Sequence, residues 1–269
     1  MAENEVVHVA IAPPAAIDEE LVRKVAAIVA TNLYETRLRL TGKIPKLIAH
    51  YDNLQMAEST AQSLKELGLV AIVCTDSELR KSPQIYRAHT LKLEEQAVLF
   101  SDRGGHTMRM ESGEIFLVLR GRMQIYTEKE VGKTTKKLNV TATLLMGGIP
   151  ISKKVKKKTV ERSVQTEGFM RLYDRLSPEP AIEILQHDFD YSFLGAEMAS
   201  SSMANFNTAV TKVKEAFPQA IFDDRLAEPF GADVHSAASK DNIEMKCKLI
   251  YWYHQAVSNA GTSVQPQFG

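Results

Sequence analysis

Cysteine is nearly absent: Cys74 and Cys247 are the only two in 269 residues, far apart and each set in an apolar run. That excludes a disulfide framework and a zinc knuckle, and it fits buried thiols in a reducing compartment. Net charge is also missing, with 33 Lys plus Arg against 33 Asp plus Glu. No global field steers nucleic acid or membrane, so any electrostatic role must be local. No apolar run approaches the roughly 20 residues that cross a bilayer. The opening "MAENEVVHVAIAPPAA" has no basic n-region, and His8 and two prolines break its apolar stretch. The expectation is a cytoplasmic chain with no signal peptide.

The familiar chemical motifs are missing too. There is no HExxH, GxSxG, CxxC or dinucleotide-type glycine triplet. "VGKTT" (131–135) invites a P-loop reading, but Thr127 stands where that loop needs glycine, and no helix pattern begins at Thr134. Catalytic residues, metal and cofactor are therefore all expected to be none, and the chain is expected not to be an enzyme.

What is present describes a globular chain with a sizeable core, at 44% hydrophobic and 25% charged residues. "VVHVAI" (6–11) predicts a strand. "IDEELVRKVAAIVATN" predicts a helix with acids at its start and Ile17, Leu21, Val25 and Ile28 in one stripe. "YETRLRLTG" reads as a second helix ending near Gly42, "IPKLIAHYD" as a strand, "NLQMAESTAQSLKELG" as a third helix closed by Gly68, and "LVAIVCTD" as an apolar, central strand. His8 and His50 lie within strands and read as structural histidines rather than a ligand pair. The order β-α-α-β-α-β over residues 5–76 resembles the C-terminal domain of the bacterial ribosomal stalk protein. The resemblance implies a small sandwich fold. That domain recruits translation factors through a lysine-rich helical surface. The helices here carry Arg23, Lys24, Arg37 and Arg39 instead, so the role is not carried over.

A polar junction, "RKSPQIYRAH", places a domain boundary at 82/83. Beyond it the period shortens: five strands are expected between residues 89 and 127, and more at 168–175, 181–187 and 190–195. An amphipathic helix follows at "SMANFNTAVTKVKEAF", with Phe206, Ala209, Val210, Val213 and Phe217 on one face. Antiparallel strands closed by such a helix resemble a pleckstrin-homology-like barrel, over about 89–217. The fold class is thus α+β. Domains are expected at 1–82 and 83–225, then at 226–269 a C-terminal helix and a disordered tail, "SNAGTSVQPQFG" (258–269). The whole resembles bacterial two-domain proteins more than any named enzyme.

Residues 131–162 interrupt the pattern with nine basic residues and one acid. A hairpin, a short amphipathic element and a mobile loop all fit. Five of the lysines fall within six positions: Lys153, Lys154, Lys156, Lys157 and Lys158. They form either a solvated face or an anion-binding surface. Lysine near anionic lipid contributes about 1 kcal/mol each, whereas nucleic acid would call for aromatics, and Phe169 is the nearest. "HDFD" offers His187, Asp188 and Asp190 as metal ligands or as a polar turn. "FDDR" offers Asp223, Asp224 and Arg225 as an acid–base pair or as a turn with a local ion pair. Three functions remain: a non-catalytic adaptor that binds another protein, a peripheral binder of acidic lipid or nucleic acid through the lysines, and a hydrolase using His187 with nearby aspartates.

Overall fold

The computed structural model describes residues 5–138, 152–227 and 240–262. The chain divides into two compact units, residues 1–123 with 167–269, and residues 124–166. The expected boundary at 82/83 falls inside the first unit, because the C-terminal helix packs on elements from both sides of it.

The first unit opens with β1 (Val7–Ile11), α1 (Glu19–Val29), α2 (Leu33–Leu40), β2 (Lys46–Tyr51), α3 (Leu54–Glu66) and β3 (Ala71–Thr75). Local chemistry sets these boundaries. The side chains of Asp18, Asn32 and Asn53 accept N-terminal amides of the three helices, satisfying donors the helix itself cannot. Gly42 and Gly68 take positive φ just beyond α2 and α3. β1 is central in an antiparallel sheet of order β2-β1-β3. One face of that sheet holds Val7, Val9 and Ile11 against Val22, Val25, Ala57, Ala61 and Leu64 of α1 and α3.

A short helix, α4 (Asp76–Arg80), follows β3 with a capping box between Thr75 and Glu78. Next come β4 (Tyr86–Ala88), β5 (Thr90–Leu93), β6 (Ala97–Ser101), β7 (Thr107–Glu111), β8 (Leu117–Leu138), β9 (Ser152–Tyr173) and β10 (Ile182–Leu185). The last elements are α5 (Ser202–Ala216), β11 (Ile221–Leu226) and α6 (Lys240–Thr262). β5-β6-β7 form an antiparallel sheet, and β11-β8-β9-β10-β4 a mixed one. In the latter, β10 pairs with β9 antiparallel, while β4 on β10 and β11 on β8 are parallel. The expected wholly antiparallel arrangement is thus corrected, and among the described residues no closed barrel forms. α5 buries Phe206, Ala209, Val210 and Val213 against Val98, Phe100, Met170 and Leu172, between the two sheets.

Three further expectations change. Four strands, not five, span residues 89–127, because β8 runs through Gly121 without a turn. Residues 190–195 form no strand: the Asp190 carboxylate accepts the Ser192 amide and hydroxyl, and a 3₁₀ turn follows at Ser192–Glu197. The C-terminal helix extends to Thr262, so residues 258–262, expected in the tail, are helical. Residues 263–269 lie outside the described residues.

α6 lies between the five-stranded mixed sheet and the β2-β1-β3 sheet. Ile243, Cys247, Ile250 and Tyr251 pack on Leu117, Leu119, Phe169 and Tyr173 of the mixed sheet. Leu249, with Met245, Trp252 and Tyr253, packs on Ala10, Ile72, Cys74 and Leu79. The Lys248 ammonium donates to the carbonyls of Glu78 and Lys81 at 2.5 and 2.6 Å, closing the C-terminal end of α4. The second unit contains the remaining parts of β8 and β9. Among the described residues, no helix is long and apolar enough to cross a membrane.

Candidate functional site

The first candidate is a groove between α1 and α2. Glu19, Val22 and Arg23 line one wall and Leu33, Tyr34 and Arg37 the other, around about 370 Å³. α2 needs few inward residues, with Thr36 and Leu40 its buried ones. Its outward side therefore keeps large apolar groups in water: Leu33 is 52% exposed, Tyr34 78% and Leu38 57%. Arg23 pairs with Glu19 at 3.2 Å. Arg37 forms no ion pair among the described residues and leaves the groove one net positive charge.

The second candidate lies on the sheet face opposite α1 and α3. His8 sits across from His50 in β2 and Cys74 in β3. A bulge follows just beyond the histidine pair. Val9 pairs with Ala49 and Ala10 with Leu47, so Ile48 is an extra residue in β2, and His50 and Leu47 share the His8 face despite their odd spacing. The His8 and His50 Nδ1 atoms lie 2.6 Å apart, and His8 Nε2 lies 3.0 Å from Asp76 Oδ1. A carboxylate only accepts, so neutral His8 carries its proton on Nε2. Its Nδ1 then accepts from His50 Nδ1–H, which leaves the lone pair of His50 on Nε2. His8 is buried and His50 exposed. Burial, the His8 ring and the Arg39 guanidinium lower the pKa of His50. Hydrogen bonds from Arg80 and His8 hold Asp76 below the usual carboxylate range.

A third polar centre is buried. Arg171, 1% exposed, donates to Glu183 Oε1 from Nε and Nη2 at 3.0 and 2.8 Å, and to both Glu244 oxygens at 2.6 and 2.7 Å. Arg87 takes the other Glu183 oxygen at 3.0 and 3.2 Å. Two guanidinium and two carboxylate groups cancel, beside a cavity of about 240 Å³ edged by Ser82, Pro83 and Ile85. Every carboxylate oxygen there has a partner, which suits a structural clamp between β9, β10, β4 and α6.

The residues singled out from sequence are distributed as follows. His187 Nδ1 meets Glu167 at 2.6 Å, and not an aspartate; Asp188 pairs with Arg103 and Asp190 with Ser192. Among the described residues, no three His, Cys, Asp or Glu side chains converge as metal ligands. Asp223 forms the local ion pair with Arg225 and also bonds His254 Nε2 at 2.7 Å. Burial raises the pKa of Asp223, but the bonds from His254 and Arg225 outweigh it and hold the carboxyl well below its ordinary value. The GKT triplet lies within β8, with no loop and helix to cradle phosphate. Lys153, Lys154, Lys156, Lys157 and Lys158 have their backbone in β9; their side chains lie outside the described residues.

Burial pushes the Cys74 thiol up to about 12 and the Cys247 thiol up to about 11. Neither sulfur is a nucleophile near neutral pH. Compared with known proteins, the chain matches no family model, no curated protein and no solved structure.

Proposed function

We propose that this protein is an adaptor, acting in the cytoplasm, which holds a short segment of another protein in the groove between α1 and α2. One observation carries the reading: Leu33 and Tyr34 stay largely exposed in the lining of a groove of about 370 Å³, with Leu38 exposed on the same helix. Tyrosine with arginine is a usual pairing at the energetic centre of interfaces, and Tyr34 stands beside Arg37 and Arg23. The net positive charge favours a segment with one or two aliphatic or aromatic residues next to Asp or Glu. The second reading, an anion binder using the five lysines, predicts binding that falls steeply with salt.

A displayed random-peptide library selected on the full chain tests the groove. Enriched peptides should combine apolar and acidic residues, and Tyr34→Ala and Arg37→Glu should each weaken them at least tenfold. Replacing the five lysines with glutamine should leave that affinity unchanged. Enriched peptides that bind Tyr34→Ala and the parent chain equally would refute the groove. Loss in the lysine variant would favour the second reading.

A further inference from the structure

The Asp76–His8–His50 chain is set apart from the other histidine–carboxylate pairs by having two imidazoles in series. The inner one is buried and the outer one opens to water. This inference is independent of the groove. The geometry fixes a direction for proton flow, since Asp76 orders the His8 tautomer and His8 orders that of His50. An imidazole whose other nitrogen is bound in this way is a positioned base.

We propose that the chain is a general-base site, in which His50 Nε2 takes a proton from a water attacking a small anionic carboxylic ester. As the water oxygen bonds to the ester carbon, its proton passes to His50 Nε2. The Nδ1 proton of His50 crosses 2.6 Å to His8 Nδ1, and the resulting His8 imidazolium rests against the Asp76 carboxylate 3.0 Å away. When the ester C–O bond breaks, the relay reverses and His50 returns the proton to the leaving oxygen. The products are a carboxylic acid and an alcohol, with water the sole co-reactant.

The preference for an anion comes from α2. Arg39 lies close enough for its charge to act on His50, and one of its Nη atoms is fixed on the Leu47 carbonyl. The other charged groups acting on His50 are His8 from β1 and Asp76 at the start of α4, and Asp76 is also held by Arg80. Cys74, on the far side of His8, is buried and stays a thiol, so it does not compete as nucleophile.

The test uses the full chain with 4-nitrophenyl acetate and 4-nitrophenyl hydrogen succinate. Hydrolysis of the succinate ester should exceed that by an equal concentration of imidazole by about 10²-fold or more, the range of a positioned base. The rate should rise with pH and level off below the ordinary histidine midpoint of about 6.5, because the His50 pKa is lowered. His50→Gln should bring the rate to background with an unchanged melting curve. Asp76→Asn should lower the plateau and move the midpoint further down, and Arg39→Gln should remove the preference for succinate over acetate. A parent rate equal to that of free imidazole, or full activity in His50→Gln, would overturn the proposal.

Discussion

Arg171→Met tests how the ionic centre beneath α6 holds the first unit together. Methionine keeps most of the arginine stem volume, so the change removes charge and donors without opening a large cavity. Four N–H···O contacts of 2.6–3.0 Å disappear. Glu183 keeps Arg87, but Glu244, whose side chain is 14% exposed, loses its ion partner. Removing one member of a buried pair costs about 3–5 kcal/mol, because the remaining charge is left desolvated. In a chain of this size each kcal/mol lowers Tm by about 2–4 °C, so the melt should drop by about 6–20 °C.

The double variant Arg171→Met, Glu244→Leu separates the two contributions to that loss. If the penalty comes from the orphaned carboxylate, removing it should restore stability, with a coupling of about 0.5–3 kcal/mol for residues in direct contact. Urea unfolding followed by circular dichroism measures both variants. A loss below about 1 kcal/mol in the single variant, or a double variant whose loss is the full sum, would refute the reasoning.

Two further outcomes follow from groups buried in the same unit. Asp223→Asn should lower stability at pH 7 by about 2 kcal/mol, the value of hydrogen bonds to a charged group. The folded pKa of Asp223 lies below its ordinary 3.8, so its stabilisation is complete above the ordinary value and is lost as pH falls through the folded one. Melts of parent and variant should therefore converge as the pH drops below 3.8, and a constant gap would contradict the assignment. Cys74 and Cys247 should be inert to a thiol-reactive disulfide reagent at pH 8 in the folded chain, since burial pushes their thiols up to about 12 and about 11. Both should react fully in denaturant; fast labelling of the native protein would show that α6 opens readily.

The elements of the first eighty residues were legible because their signals are local. A stripe at helical spacing, an Asp or Asn at each helix start and a positive-φ glycine beyond α2 and α3 are written within a few positions of where they act. The candidate sites were less legible. His8 and His50 read as strand histidines, but their contact depends on the pairing register of β1 with β2, which an alternation count within one strand does not give. Asp76 joins them from the far end of β3, which only the strand order β2-β1-β3 explains. Arg171 and Glu183 are single charges set in apolar runs, FMRLY in β9 and IEIL in β10, and a strand by itself does not name the partner that such a charge will meet. They are buried because a helix more than fifty residues later covers that face.

That helix also explains why the junction near residue 82 was a poor guide to where the compact units divide. A helix with one neighbour carries one apolar stripe, and its remaining positions are polar. α6 has a stripe for the mixed sheet at Ile243, Cys247, Ile250 and Tyr251, and a second for the β1–β3 face at Met245, Leu249, Trp252 and Tyr253. Its polar residues are drawn inward as well, Lys248 to the carbonyls at the end of α4 and Glu244 to Arg171. A polar linker shows only that the chain crosses water at one point. Which apolar faces remain to be covered on either side of it decides whether the pieces share a core, and here residues near the C-terminus cover both.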